Sequence, residues 1–146
     1  MTTSAPYVDS CVLLSLLLGD SGYGAAERWL NQQGEQPLWI SHWVLLEVAG
    51  VIALCRRRGD LSTTQADTIQ HHFEAFRQER LSLIEPRGTD FLQARAWLDD
   101  GQPVSLRSGD ALHCAIAKRE QLRLTTADRN LSRAAQQLGL NVALLG

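Results

Sequence analysis

The chain has 146 residues, of which 45% are hydrophobic and 21% charged, with a formal net charge of −2. A chain of this length buries roughly 68 to 70% of its unfolded surface without disulfides or metals, so residues 1–146 are read as one domain of ordinary globular composition. The charge excludes a protein that grips nucleic acid through bulk electrostatics, because such binding scales with the number of phosphates neutralised, and it leaves room only for local contact.

"MTTSAPYVDS" carries no basic n-region, and the apolar run "CVLLSLLLG" is shorter than the ~20 residues a helix needs to span a bilayer. The expectation is a cytoplasmic protein without membrane contact. Cys11, Cys55 and Cys114 are odd in number, lie in apolar helical surroundings and show no metal-ligand spacing, so they are read as buried thiols. Lys118 is the single lysine among 14 basic residues; the arginine excess suits bidentate phosphate contacts but equally fits a composition bias.

Short apolar runs alternate with segments of helical period, the pattern of repeated β-α units around a parallel sheet. "APYVD" reads as the first strand and "SCVLLSLLL" as the helix after it. "GAAERWLNQQ" is a second helix, "QPLWIS" a second strand, and "HWVLLEVAGVIALCRRRG" a long helix with arginines in its last turn and Gly59 just past its end. In "STTQADTIQHHFEAFRQ" Ser62 and Gln65 form a capping box, so a further helix starts there and makes a hairpin with its predecessor. "LSLIEP" is the third strand, "TDFLQARAWLDD" a helix, "GQPVSLRS" a loop, and "GDALHCAIAKRE" a helix opened by Ser108 and Asp110. "LRLTT" is the fourth strand, "NLSRAAQQLG" a helix ended by Gly139, and "NVALL" the fifth strand.

Ligands of an open parallel sheet bind beyond the carboxyl ends of its strands. Asp9 ends the first strand and Asp128 follows the fourth, so both project at that edge. Asp110 lies in the first turn of its helix, and Glu47 lies inside the long helix that leaves the second strand. Glu47 is surrounded by apolar residues with no Lys or Arg within a turn, and an unpaired carboxylate there is costly, so it requires a partner from elsewhere in the fold or from solution. The other twelve acids (Asp20, Glu27, Glu35, Asp60, Asp67, Glu74, Glu79, Glu85, Asp90, Asp99, Asp100 and Glu120) read as solvated surface. Asp110 and Asp128 each fit a plain helix-start role as well. Taken together, the four acids are explained by one shared divalent cation. Hard oxygen ligands suit Mg²⁺ or Mn²⁺, and such a site is poised for displacement at phosphorus.

With these residues in view the chain resembles the PIN-domain family, and within it the VapC-like ribonuclease toxins of toxin-antitoxin pairs. The likeness runs from "YVDSCVLLSLL" through "WISHWVLLEVAGVI" to "DALHCAIA" and "TTADRNLSRAAQQLGL", the last two blocks being the most specific. It implies a three-layer α/β/α fold with a central parallel sheet of about five strands. It also implies an acidic quartet of Asp9, Glu47, Asp110 and Asp128 binding Mg²⁺ or Mn²⁺, with Ser10 and Thr126 as hydroxyl neighbours that orient ligands or water. An endoribonuclease acting on RNA, a homodimer and a small cognate antitoxin follow from the same resemblance.

Two positions depart from the family pattern. Cys11 stands where a Ser, Asn or small residue is commoner, and Asn130 stands where some members carry another acid, which leaves one or two metals open. Arg56, Arg57 and Arg58 are candidate RNA contacts, set against a solvated helix end. His113 reads as a core histidine rather than a general base, and His42, His71 and His72 have no ligand spacing. "GDSGYG" completes no dinucleotide fingerprint, and no G-x-S-x-G elbow exists. The alternatives kept beside the toxin are a weakly catalytic PIN-like module that binds protein or RNA, and a housekeeping RNA-processing nuclease.

Overall fold

Residues 4–146 are described by a computed structural model. Five strands, β1 (Pro6–Val8), β2 (Leu38–Ser41), β3 (Leu81–Ile84), β4 (Arg123–Thr126) and β5 (Val142–Leu144), form one sheet in the order β3-β2-β1-β4-β5, with every pairing parallel. Seven helices join them: α1 (Ser10–Leu18), α2 (Tyr23–Gln32), α3 (His42–Arg58), α4 (Thr63–Arg80), α5 (Gly88–Asp100), α6 (Ser108–Arg119) and α7 (Arg129–Gln137). The result is the expected three-layer α/β/α architecture with five parallel strands.

The strands are near-continuous apolar runs because both faces of the sheet are covered. Tyr7, Val8, Ile40 and Leu124 are fully buried, each contributing on the order of 1.5 to 3 kcal/mol through burial. They pack with Val44, Val48, Ile52, Leu112 and Ile116 in one large core. A second, smaller cluster, in which Ala94, Leu106, Ala111, Ala115 and Ala134 meet, lets α5, α6 and α7 approach closely.

Several boundaries have visible causes. The Ser62 hydroxyl accepts from the Gln65 N–H at 3.0 Å while the Gln65 side chain accepts from the Ser62 N–H at 2.8 Å, which starts α4 as the sequence predicts. Gly59 ends α3 at φ +80°, the left-handed region where a side chain is disfavoured. At α6 the expectation fails in one respect: Ser108 is the first helical residue, Arg107 holds the cap position, and no side chain caps the helix start.

Two further expectations are corrected. Of the three cysteines, Cys114 is buried, but Cys11 and Cys55 are half-buried. Asp90 is not solvated surface: it is 2% exposed, its two oxygens accept from Arg119 at 2.7 and 2.9 Å, and Oδ2 also accepts from the Arg87 N–H at 2.8 Å. A buried carboxylate needs such partners; the other eleven acids outside the quartet are exposed. No helix among the described residues is long and apolar enough to cross a membrane.

Candidate metal centre

The chain runs outward from β1 to β2 and β3, then returns to β4 on the other side of β1. The gap between the carboxyl ends of β1 and β4 is therefore the switch point of the sheet, where a crevice opens. Val8 pairs with Thr125 in register, which places Asp9 beside Thr126 at that crevice, and the Asp9 N–H donates to the Thr125 carbonyl at 2.9 Å.

Asp9 is 5% exposed, and its carboxylate is held by neighbours. The Thr126 hydroxyl donates to Oδ2 at 2.8 Å and the Cys11 thiol to the same oxygen at 3.0 Å; Ser10 lies at the limit, 3.5 Å from Oδ1. Thr126 in turn accepts from the Asp128 N–H at 3.0 Å. Burial and the charge of Asp9 push the Cys11 thiol up to about 12, so it stays a donor. Thr126 is thus tied to the carboxylate, whereas Ser10 sits at the limit of hydrogen-bond distance.

Asp128 caps α7: its Oδ1 accepts from the Asn130 and Leu131 N–H groups at 2.8 and 3.2 Å. Capping occupies one oxygen and leaves the other unbonded among the described residues, so the cap does not preclude a further ligand there. Asp110, in the first turn of α6, makes no side-chain hydrogen bond among the described residues. Its carboxyl is pushed up to about 6, first by burial, then by the negative charge of Asp9 and, less, of Asp128 and Glu47, with His113 opposing.

Glu47 finds its partner in the fold. His113 Nε2 lies 2.5 Å from its Oε1 and 3.8 Å from Asp9 Oδ1, and the imidazole is fully buried. Asp9, Glu47 and His113 each place one donor atom within 4.8 Å of the others. Gly109 allows α6 to come this close to α3: a Cβ there would meet Trp43 Cζ2 at 3.2 Å and Glu47 Oε2 at 3.6 Å, and the Gly109 carbonyl accepts from Trp43 Nε1 at 3.2 Å. Among the described residues no Lys or Arg forms an ion pair with any of the four acids. A concentration of carboxylate charge with no cationic side chain is a donor set that fits a hard divalent cation.

Arg56, Arg57 and Arg58 are exposed and lie nine to eleven residues beyond Glu47 on α3, about 13 to 17 Å along its axis at 1.5 Å per residue. Because α3 starts at the carboxyl end of β2 and runs away from it, the structure does not bring these arginines to the acids. Sequence reading also missed the contributions of Cys11 and Gly109. The "SGD" and "YVDSC" contexts flank the acids, but only the folded contacts reveal what those residues touch.

The PIN domain family matches residues 7–137. The chain belongs to the PIN-domain family. A search of curated proteins finds no match. Among solved structures this PIN domain is similar to Mycobacterium tuberculosis VapC20, a sarcin-ricin loop cleaving toxin, at 21% identity and a TM-score of 0.70, covering 89% of this chain and 95% of that one. It is also similar to FitAcB from Neisseria gonorrhoeae, at 20% identity and a TM-score of 0.69, covering 94% and 95% of the two chains. A third likeness is to VapBC2 from Rickettsia felis bound to a DNA fragment from its promoter, at 14% identity and a TM-score of 0.70, covering 97% and 99%. At these identities the likenesses establish a shared fold.

Proposed function

We propose that this PIN domain is a divalent-metal-dependent endoribonuclease and the toxin of a type II toxin-antitoxin pair, working in the cytoplasm as a single-domain homodimer and neutralised by a small antitoxin. The observation that carries the reading is the placement of Asp9 and Glu47 donor atoms within 4.8 Å of each other at the switch point of the sheet, with Asp110 near enough that burial and the charges of Asp9, Asp128 and Glu47 raise its carboxyl. A module used only for binding has no need of four acids with no cationic partner. The toxin role is supported by the family and by the fold shared with the toxin VapC20, with VapBC2 and with FitAcB.

Asp9, Glu47, Asp110 and Asp128 would hold Mg²⁺ or Mn²⁺. When bound, the cation supplies Lewis-acid stabilisation of the phosphoryl oxygens and a more acidic water. The chain's own residues prepare the place. Thr126 and Cys11 fix Asp9 Oδ2 and so orient its other oxygen. Burial and the charges of Asp9, Asp128 and Glu47 push the Asp110 carboxyl up to about 6, and a bound cation would favour its ionised form. Asp9, Thr125 and Thr126 are buried, so charge interactions on the inner side of the crevice are screened less than in open solvent. RNA would approach through its phosphates toward the cation rather than toward a basic surface, consistent with a net charge of −2.

The test is cleavage of RNA by partner-free protein. Activity is expected with Mg²⁺ or Mn²⁺ and is expected to stop with EDTA; full cleavage in EDTA overturns the metal-dependent reading.

A further inference from the structure

A buried chain of polar contacts runs behind the acids. Ser41 Oγ lies 2.8 Å from Tyr7 Oη, Tyr7 Oη lies 2.8 Å from His113 Nδ1, and His113 Nε2 lies 2.5 Å from Glu47 Oε1. Ser41, Tyr7 and His113 are each 0% exposed, so no water competes for these groups. The chain links three elements that each deliver one acid: Tyr7 precedes Asp9 by two residues on β1, Ser41 is the cap position of α3, which carries Glu47, and His113 follows Asp110 by three on α6.

The direction of the bonds follows from their chemistry. A carboxylate only accepts, so Nε2 carries a hydrogen and donates it to Glu47. In the neutral ring Nδ1 then accepts from the Tyr7 O–H, whose oxygen accepts from Ser41. The imidazole is wedged further by the edge-on Tyr7 ring, 5.6 Å between centroids, and by Trp43 at 6.4 Å. Direct ligation is a poor alternative for Nε2. With its hydrogen donated to Glu47, Nε2 has no lone pair to offer a cation.

We propose that His113 is a positioning residue: it holds the half-buried Glu47 carboxylate through Nε2–H, with Tyr7 holding its other nitrogen, so that Oε2 is left free for the cation. The functional role rests on the metal-nuclease reading above; the bond itself does not. Groups of this kind, standing behind a metal ligand, commonly change metal affinity 10- to 100-fold when removed.

Two amides separate the ring nitrogens. His113→Gln places a donor near the Nε2 position and can still reach Glu47, whereas His113→Asn reaches only the Nδ1 position, toward Tyr7. Mn²⁺ affinity by calorimetry is expected to stay within about threefold of wild type in His113→Gln and to fall by about tenfold or more in His113→Asn. Equal affinities in the two variants, both intact or both weakened, overturn the proposal. Nitrogen-15 spectra of the metal-free wild type give a second measurement that needs no variant to fold: a hydrogen on Nε2 is expected, and its absence overturns the proposal. If the wild type binds no Mn²⁺, the metal-nuclease reading falls while the spectrum still decides whether His113 holds Glu47.

Discussion

Replacing Asp110 with Asn tests through stability whether the four acids share one place. The carboxyl is raised from 3.8 to about 6, so its ionised form is disfavoured in the folded protein. Folding therefore takes up a proton between about pH 4 and pH 6, and stability falls as pH rises through that window. The full shift corresponds to about 3 kcal/mol at 1.36 kcal/mol per unit. Asp110 is partly exposed, and solvent screening reduces the cost to roughly 1 to 1.5 kcal/mol. No cap hydrogen bond is lost in the variant, because no side chain caps α6. The lost attraction to the helix dipole offsets ~0.3 to 1 kcal/mol of the gain. Metal-free Asp110→Asn is thus expected to melt at the wild-type temperature or up to about 4 °C higher at pH 7, at roughly 2 to 4 °C per kcal/mol. The gain should shrink on acidification and disappear below about pH 4. Mn²⁺ at about 100 times its dissociation constant adds roughly 2.7 kcal/mol to the wild type and much less to the variant. Differential scanning calorimetry at pH 4 and pH 7, with and without Mn²⁺, reads both effects. Equal Mn²⁺ shifts in the two proteins, or a variant destabilised alike at both pH values, would refute convergence and leave Asp110 a helix-start residue.

Thr126→Val removes a buried hydroxyl that donates to Asp9 and accepts from the Asp128 N–H; urea unfolding should show a loss of about 1.5 to 3 kcal/mol, with weakened Mn²⁺ binding, since bonds to charged groups are worth that much. Asp90→Asn breaks the bidentate pair with Arg119 and should cost about 3 kcal/mol by the same assay. It should leave the Mn²⁺-induced shift unchanged, which makes it the control for a merely unstable protein. Light scattering at micromolar concentration should give twice the chain mass, a C₂ pair being the commonest assembly; a monomer contradicts the homodimer.

The alternation of apolar runs with helical periods made the parallel sheet legible, because covered strands are apolar throughout and their connections are helices. The capping box at Ser62 and the stop at Gly59 were legible for the same local reason: each is set by residues within a few positions. Asp9 and Asp128 could be placed at one edge from strand polarity alone. The partner of Glu47 could be required but not named, since His113 lies 66 residues away and only the fold brings the two within 2.5 Å. Asp90 was misjudged on the same account, as its arginine lies 29 residues further along the chain. Arg56, Arg57 and Arg58 read as a charged helix end in the sequence, which does not show that they stand about 13 to 17 Å along the α3 axis from Glu47.

The most direct test is the cleavage of one end-labelled single-stranded RNA in Mn²⁺ by wild type and by the four variants Asp9→Asn, Glu47→Gln, Asp110→Asn and Asp128→Asn, each confirmed folded. A shared centre predicts that every one of the four loses about 10²-fold or more of the wild-type rate, the scale on which charge-stabilising groups contribute. Wild-type cleavage by any folded member of the set would remove that acid from the centre, and wild-type cleavage by all four would contradict the account.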